Sequence, residues 1–88
     1  MNSRATPDFW ACFRELPDHV QARAQSAYAL WTANPHHPSL QFKEIPAAGE
    51  GVWSVRVGIG WRALGVRRGD EMIWFWIGSH ADYDKLIS

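Results

Sequence analysis

Six consecutive apolar residues, Met72-Ile73-Trp74-Phe75-Trp76-Ile77, constrain this chain more than any other feature. A strand with one wet face alternates apolar and polar side chains, and this run does not alternate. It must be covered on both faces, which places it at the centre of a sheet rather than at its edge. The chain has 88 residues, so only one domain is available to cover it. A domain this short buries only about 60 to 65 per cent of its unfolded surface, so its core has to be dense. Six tryptophans and four phenylalanines supply that core, each large ring burying roughly 150 to 250 Å². The lone Cys12 excludes an intramolecular disulfide, and its place among aromatics on a helix fits an inert, partly buried thiol.

The rest of the chain divides at Asn34 to Leu40, where Pro35 and Pro38 interrupt regular structure. Before that break, Phe9, Trp10, Phe13 and Leu16 recur at helical spacing up to Pro17. Val20, Ala24, Ala27 and Trp31 then form the stripe of a second helix from about Asp18 to Ala33. After the break the period changes to two. Leu40 to Ile45 and Trp53 to Val57 read as strands, Gly58-Ile59-Gly60 as a hairpin turn, and Trp61 to Val66 as the next strand. Ser79-His80-Ala81-Asp82 has capping-box-like spacing for a short terminal helix. The predicted fold is α+β. An N-terminal αα-hairpin over about 7–33 packs on a three- to four-stranded antiparallel sheet over about 40–78, followed by a C-terminal helix over about 79–87.

No stretch approaches the roughly 18 to 20 apolar residues of a membrane span, and the N-terminus has no apolar signal segment. A cytoplasmic protein is expected. Lys plus Arg equals Asp plus Glu, nine of each. That balance argues against a strong non-specific nucleic-acid binder and confines any anion recognition to a local patch. One such patch is legible. With the hairpin turn centred on Ile59, Arg56 stands opposite Arg62, and both guanidinium groups project from one face of the sheet. Like charges in register repel unless an anion visits, and the planar fork of arginine suits a pair of phosphate oxygens. A two-residue turn would move the two out of opposition, and solvated arginines on an open sheet face fit the same pattern.

Read in order, Leu16-Pro17, the Asn34-Pro35 stop, Leu40-Gln41-Phe42-Lys43, Trp53 to Val57, Trp61-Arg62-Ala63-Leu64 and Trp76 to Asp84 resemble the RelE/ParE superfamily, the toxins of type II toxin–antitoxin systems. The likeness covers nearly the whole chain. Family members usually begin with a strand, whereas Met1 to Ala5 is polar and short, so here that strand is expected to be missing or an edge stub. The RNA-cleaving branch is strongly basic, and this chain is not.

The resemblance implies a toxin that cleaves mRNA on the ribosome. The alternatives within the same family are a non-catalytic toxin that engages DNA gyrase and an attenuated member that binds only its antitoxin. It puts Arg62 in the charge-stabilising role, His80 and Tyr83 in acid, base or orienting roles, and Glu44 as a partner base. Arg56, Lys43 and Lys85 become phosphate contacts. Histidine is the side chain best suited to move a proton near neutral pH, though His80 reads equally as a helix cap and Tyr83 as a packing residue. The expected partner is a cognate antitoxin, laid over apolar surface where Trp10 and Trp61 are candidate contacts. No cofactor is implied. His36-His37 lies in a Pro-rich loop with no further ligand at metal-binding spacing, so no metal site is expected.

Overall fold

In the computed structural model, which describes residues 1–88, the chain begins with a four-residue strand, β1 (Asn2–Ala5). It is an edge strand parallel to the last strand, with Ser3 paired to Met72 and Ala5 to Trp74. The sheet is therefore five-stranded and mixed, not a purely antiparallel sheet of three or four strands. β1 shows no apolar alternation because backbone bonds rather than buried side chains hold it. Asn2 N–H donates to Asp70 and Thr6 N–H to Trp74, at 3.0 and 2.9 Å.

Thr6 ends the strand and caps the first helix, α1 (Pro7–Arg14). Its hydroxyl accepts from Phe9 N–H at 3.2 Å, and Pro7 fills the first helical position, where no amide hydrogen is needed. A second helix, α2 (Asp18–Ala33), follows directly. Its predicted stripe is the buried face: Val20 and Trp31 are enclosed, with Ala24 and Ala27 packed beside them. Phe9 and Phe13 of α1 pack on the same core, whereas Trp10 stays 46 % exposed.

The segment expected to form a strand from Leu40 to Ile45 yields only β2 (Lys43–Glu44). Pro38 starts a 3-10 turn through Leu40, Gln41 turns left-handed, and Pro46 starts another 3-10 turn, so the prolines leave two residues free to pair. The remaining strands are β3 (Val52–Arg56), β4 (Trp61–Arg68) and β5 (Glu71–Ser79), and α3 (His80–Ile87) closes the chain. The sheet order is β1-β5-β4-β3-β2. The apolar run thus lies in β5, inside the sheet. No helix is long and apolar enough to cross a membrane.

A register shift at Leu64/Gly65 explains why that run does not alternate. Leu64 pairs with Trp76 but Gly65 with Trp74, so Phe75 is the extra residue of a bulge. Met72, Trp74 and Ile77 join the main core under α1 and α2, while Phe75 and Trp76 pack with Val52, Leu64 and Tyr83 on the other face, beneath α3. One strand feeds two cores.

Candidate functional site around Arg62

The β3–β4 turn fixes the site. Gly58 and Gly60 take φ of 66° and 86°, backbone that side chains rarely adopt, and Val57 N–H donates to the Trp61 carbonyl at 2.9 Å. The turn therefore centres on Ile59, which is 82 % exposed, and Arg56 pairs directly with Arg62 as the three-residue turn predicts.

Which face each residue occupies follows from pairing, because directly opposite residues share a face. Ala63 and Val55 pair and belong to the core under α1 and α2. Their neighbours Ser54, Leu64 and Arg62 therefore face α3. Arg62 is only 8 % exposed. Its Nη2 donates to Gln41 Oε1 at 2.7 Å and its Nη1 to Ser54 Oγ at 3.5 Å. Its Cζ lies 5.5 Å from the centre of the Tyr83 ring, within cation–π range. On its other side in the sheet the partner is Gly78, which keeps room for the Trp76 ring; a Cβ there would stand 2.6 Å from it.

No carboxylate pairs with this guanidinium. The ion pairs of the chain are Arg4 with Glu71 and His80 with Asp84. All the groups that hold Arg62 are neutral, and its Nε, buried, has no partner at all. Burying a charge without a counter-ion is costly, and a fork with unused donors is suited to a carboxylate or phosphate. Arg62 thus carries a buried positive charge that no carboxylate offsets directly, in a chain that is neutral as a whole.

Tyr83 and His80 complete the cluster. Ser79 caps α3 by accepting from Asp82 N–H at 3.1 Å, and His80 N–H donates to the Gly60 carbonyl at 2.8 Å, which ties the start of the helix to the β3–β4 turn. Three residues on, Tyr83 falls on the same helical face and is buried between His80 and Arg62; its ring centre is 5.6 Å from that of His80. His80 itself is exposed, with Nε2 3.5 Å from Asp84 Oδ1. The arrangement runs from an exposed imidazole through a phenol to a buried cation. Such a row can hold an anion at one end and exchange a proton at the other.

The other expected residues are placed differently. Lys43 pairs with Ser54 and so shares the Arg62 face, exposed. Glu44 pairs with Trp53, whose ring packs on the core under the helices, so it lies on the opposite face from Arg62. Lys85 is exposed two residues past Tyr83, a spacing that turns it away from Tyr83 on a helix. Arg56 shares the face by pairing, but its Nε donates at 3.4 Å to the Gly58 carbonyl and does not join Arg62. Gln41 and Ser54 belong to the site and were not foreseen in it; Asp84, a possible neighbour of the arginines by sequence, stands beside His80 instead. Asp84 had a signal, four residues after His80 on a helix. No three His, Cys, Asp or Glu side chains stand close enough to share a metal ion.

No curated protein matches the chain. Among solved structures it is similar to YafQ from E. coli strain BL21(DE3), with TM-score 0.75 and 10% identity over 93% of this chain and 96% of that one. It is also similar to the RelB–RelE antitoxin–toxin complex from Methanococcus jannaschii, with TM-score 0.73 and 16% identity over 96% and 98%. The isolated E. coli RelE toxin matches with TM-score 0.62 and 10% identity over 99% and 98%. At these identities the likeness is one of fold. In sequence, the profile of the ParE-like toxin domain matches residues 18–85, a segment that holds Gln41, Arg62, His80 and Tyr83, and the chain belongs to that family.

Proposed function

We propose that this chain is the toxin of a type II toxin–antitoxin pair and that it inhibits translation by cutting mRNA on the ribosome. The observation that carries this reading is the buried Arg62 guanidinium, which has no counter-ion and stands against Tyr83, whose ring packs in turn beside His80.

In this reaction a ribose 2′-hydroxyl attacks the adjacent phosphorus. A base takes the hydroxyl proton, and an acid protonates the departing 5′-oxygen, leaving a 2′,3′-cyclic phosphate and a 5′-hydroxyl. Arg62 binds the non-bridging oxygens and stabilises the extra negative charge of the phosphorane-like transition state, in a pocket where neutral donors already fix its orientation. His80 exchanges the proton: Asp84 engages Nε2 and leaves Nδ1 for the substrate. Tyr83 seats Arg62 and presents its hydroxyl beside the reacting phosphate. Glu44 has no part in this arrangement, because it lies across the sheet. Ribosome shape supplies the affinity that a neutral chain cannot take from phosphate contacts alone.

The partner under this reading is a cognate antitoxin. A groove of about 390 Å³ between β1, α1 and α2 is lined by Phe9, Trp10, Phe13 and Tyr28, and its exposed rings suit an apolar segment of that protein. Trp61 is half-buried against the main core and offers less.

Expression from a tightly repressed promoter tests the proposal, with wild type beside Arg62→Ala and His80→Ala, following growth and the integrity of a translated reporter mRNA. Growth arrest with mRNA cut only by the wild type is expected. Arrest by all three with intact mRNA would overturn cleavage in favour of binding a protein target such as DNA gyrase, and no arrest by folded wild type would leave a domain that only binds antitoxin.

A further inference from the structure

Strand β5 would place Trp74 and Trp76 on one face of the sheet if its alternation ran unbroken. The bulge at Phe75 breaks it. Trp74 goes under α1 and α2, and Trp76 crosses to the face that carries Arg62 and α3. Bulges gather beside active sites because they re-aim a side chain in this way.

Gly78 fixes where the re-aimed ring lands. This glycine is the direct partner of Arg62 across β4 and β5, so its missing side chain would point to the same face. A Cβ on it would meet Cζ2, Cη2 and Cε2 of Trp76 at 2.6, 2.9 and 3.3 Å, so the six-membered ring of the indole fills that place. The ring therefore stands at the cross-strand position next to Arg62.

Trp76 also differs from the core tryptophans. Trp31 and Trp74 are enclosed, meet edge to face at 5.3 Å and bury their unpaired indole N–H groups. Trp76 is only half-buried, its N–H is not enclosed, and no other ring or guanidinium stacks on it. Gly78 and Ser79 beyond it are half-buried as well and His80 is exposed, so solvent reaches the surface from the indole to the imidazole.

A flat π surface beside a guanidinium without a counter-ion matches the two parts of a nucleotide, its base and its phosphate. An apolar protein segment would cover the indole and leave Arg62 beside it without an anion. We propose that Trp76 stacks on the base of a nucleotide flanking the scissile phosphate. Stacking tolerates every base but gains most from the larger face of a purine, so Trp76 sets a modest preference for purine there. The inference rests on the reading of Arg62 as the site of the scissile phosphate and adds the residue that meets the base.

The test uses the full chain and ribosome-bound mRNAs that carry adenine, uracil or no base at the nucleotide on either side of the mapped cut in turn. On one of the two sides, wild type is expected to cut the adenine substrate with a kcat/KM about tenfold above the abasic one, with uracil between. Trp76→Phe keeps a ring and should keep most of that order. Trp76→Leu should cut all three substrates at the rate that wild type shows for the abasic one. Wild-type base preference in Trp76→Leu overturns the proposal and assigns the indole to a protein contact, with the reading of Arg62 intact. An equal fall on all three substrates with their order preserved also overturns it, because the ring then serves only the packing beneath α3. Equal cutting of all three by wild type overturns stacking without any variant, and no cutting by folded wild type overturns both readings.

Discussion

Gln41 accepts a 2.7 Å hydrogen bond from Nη2 of Arg62 while its own backbone sits in the left-handed region, at φ 46°, the one non-glycine residue of the chain with positive φ. Such a conformation costs of order 1 kcal/mol or more and persists where surrounding structure over-determines it. Here the turn from the Pro38–Leu40 segment into β2 aims the amide at the guanidinium. Because that amide is neutral, it orients Arg62 without consuming its charge. Gln41→Glu is nearly isosteric and does consume it: a carboxylate at this place pairs with the buried arginine. The expected outcome is a protein at least as stable as wild type in thermal denaturation, with RNA binding and cleavage reduced tenfold or more. Retained binding at equal stability would show that Arg62 does not hold the anion.

Tyr83 is buried between Arg62 and His80, so ring and hydroxyl must be tested separately. Tyr83→Ala removes a packed ring from the core beneath α3 and should cost about 3 kcal/mol or more, with activity lost for structural reasons. Tyr83→Phe keeps the ring and its cation–π contact. Its stability in urea titrations should stay within about 0.5 kcal/mol of wild type. Cleavage should fall about tenfold if the hydroxyl meets the phosphate; unchanged cleavage would reduce Tyr83 to a platform for Arg62.

Much of this arrangement was legible in the sequence, for identifiable reasons. The stripe Val20, Ala24, Ala27, Trp31 has a helical period and a buried face, and of the two turn lengths open at Gly58-Ile59-Gly60 the one centred on Ile59 opposes Arg56 to Arg62. β1 was not legible, because an edge strand held by backbone bonds to β5 needs no apolar pattern. Gln41 gave no sign of its role, since its approach to Arg62 depends on a left-handed turn between two prolines. Glu44 is the instructive case. The alternation that sends Phe42 into the core under the helices sends Glu44, two residues on, to that same face and away from Arg62.

The bulge that lets one strand serve two cores predicts a sensitive glycine. Gly65 stands at the register shift opposite Trp74, and a Cβ there would meet Met72 Sδ and Trp74 Cε3 at 2.8 Å and the Ile73 carbonyl at 3.2 Å. Both side chains are themselves buried, so neither can swing into solvent. Gly65→Ala should therefore destabilise the fold by about 1–3 kcal/mol, read as a lower urea midpoint with unchanged slope. Gly69 has open space around its Cβ position, so Gly69→Ala meets only the strain of its φ of 59° and serves as the milder comparison.

His80 and Asp84 make a pair whose structural worth and chemical worth should differ. They lie one turn apart on α3 with Nε2 3.5 Å from Oδ1, and both side chains are about half exposed. An exposed pair at this spacing contributes less than about 0.5 kcal/mol, and Ser79 rather than His80 caps the helix. Asp84→Asn should accordingly leave the melting temperature within a degree or two. The same change removes the carboxylate that orients the imidazole, so the cleavage rate should drop several-fold while binding of an uncleavable oligonucleotide stays constant. A loss of binding in step with rate would mean that Asp84 shapes the surface rather than the proton transfer. Unchanged rate would mean that His80 finds its orientation from the substrate or the ribosome, and the pair would then be no more than a surface contact.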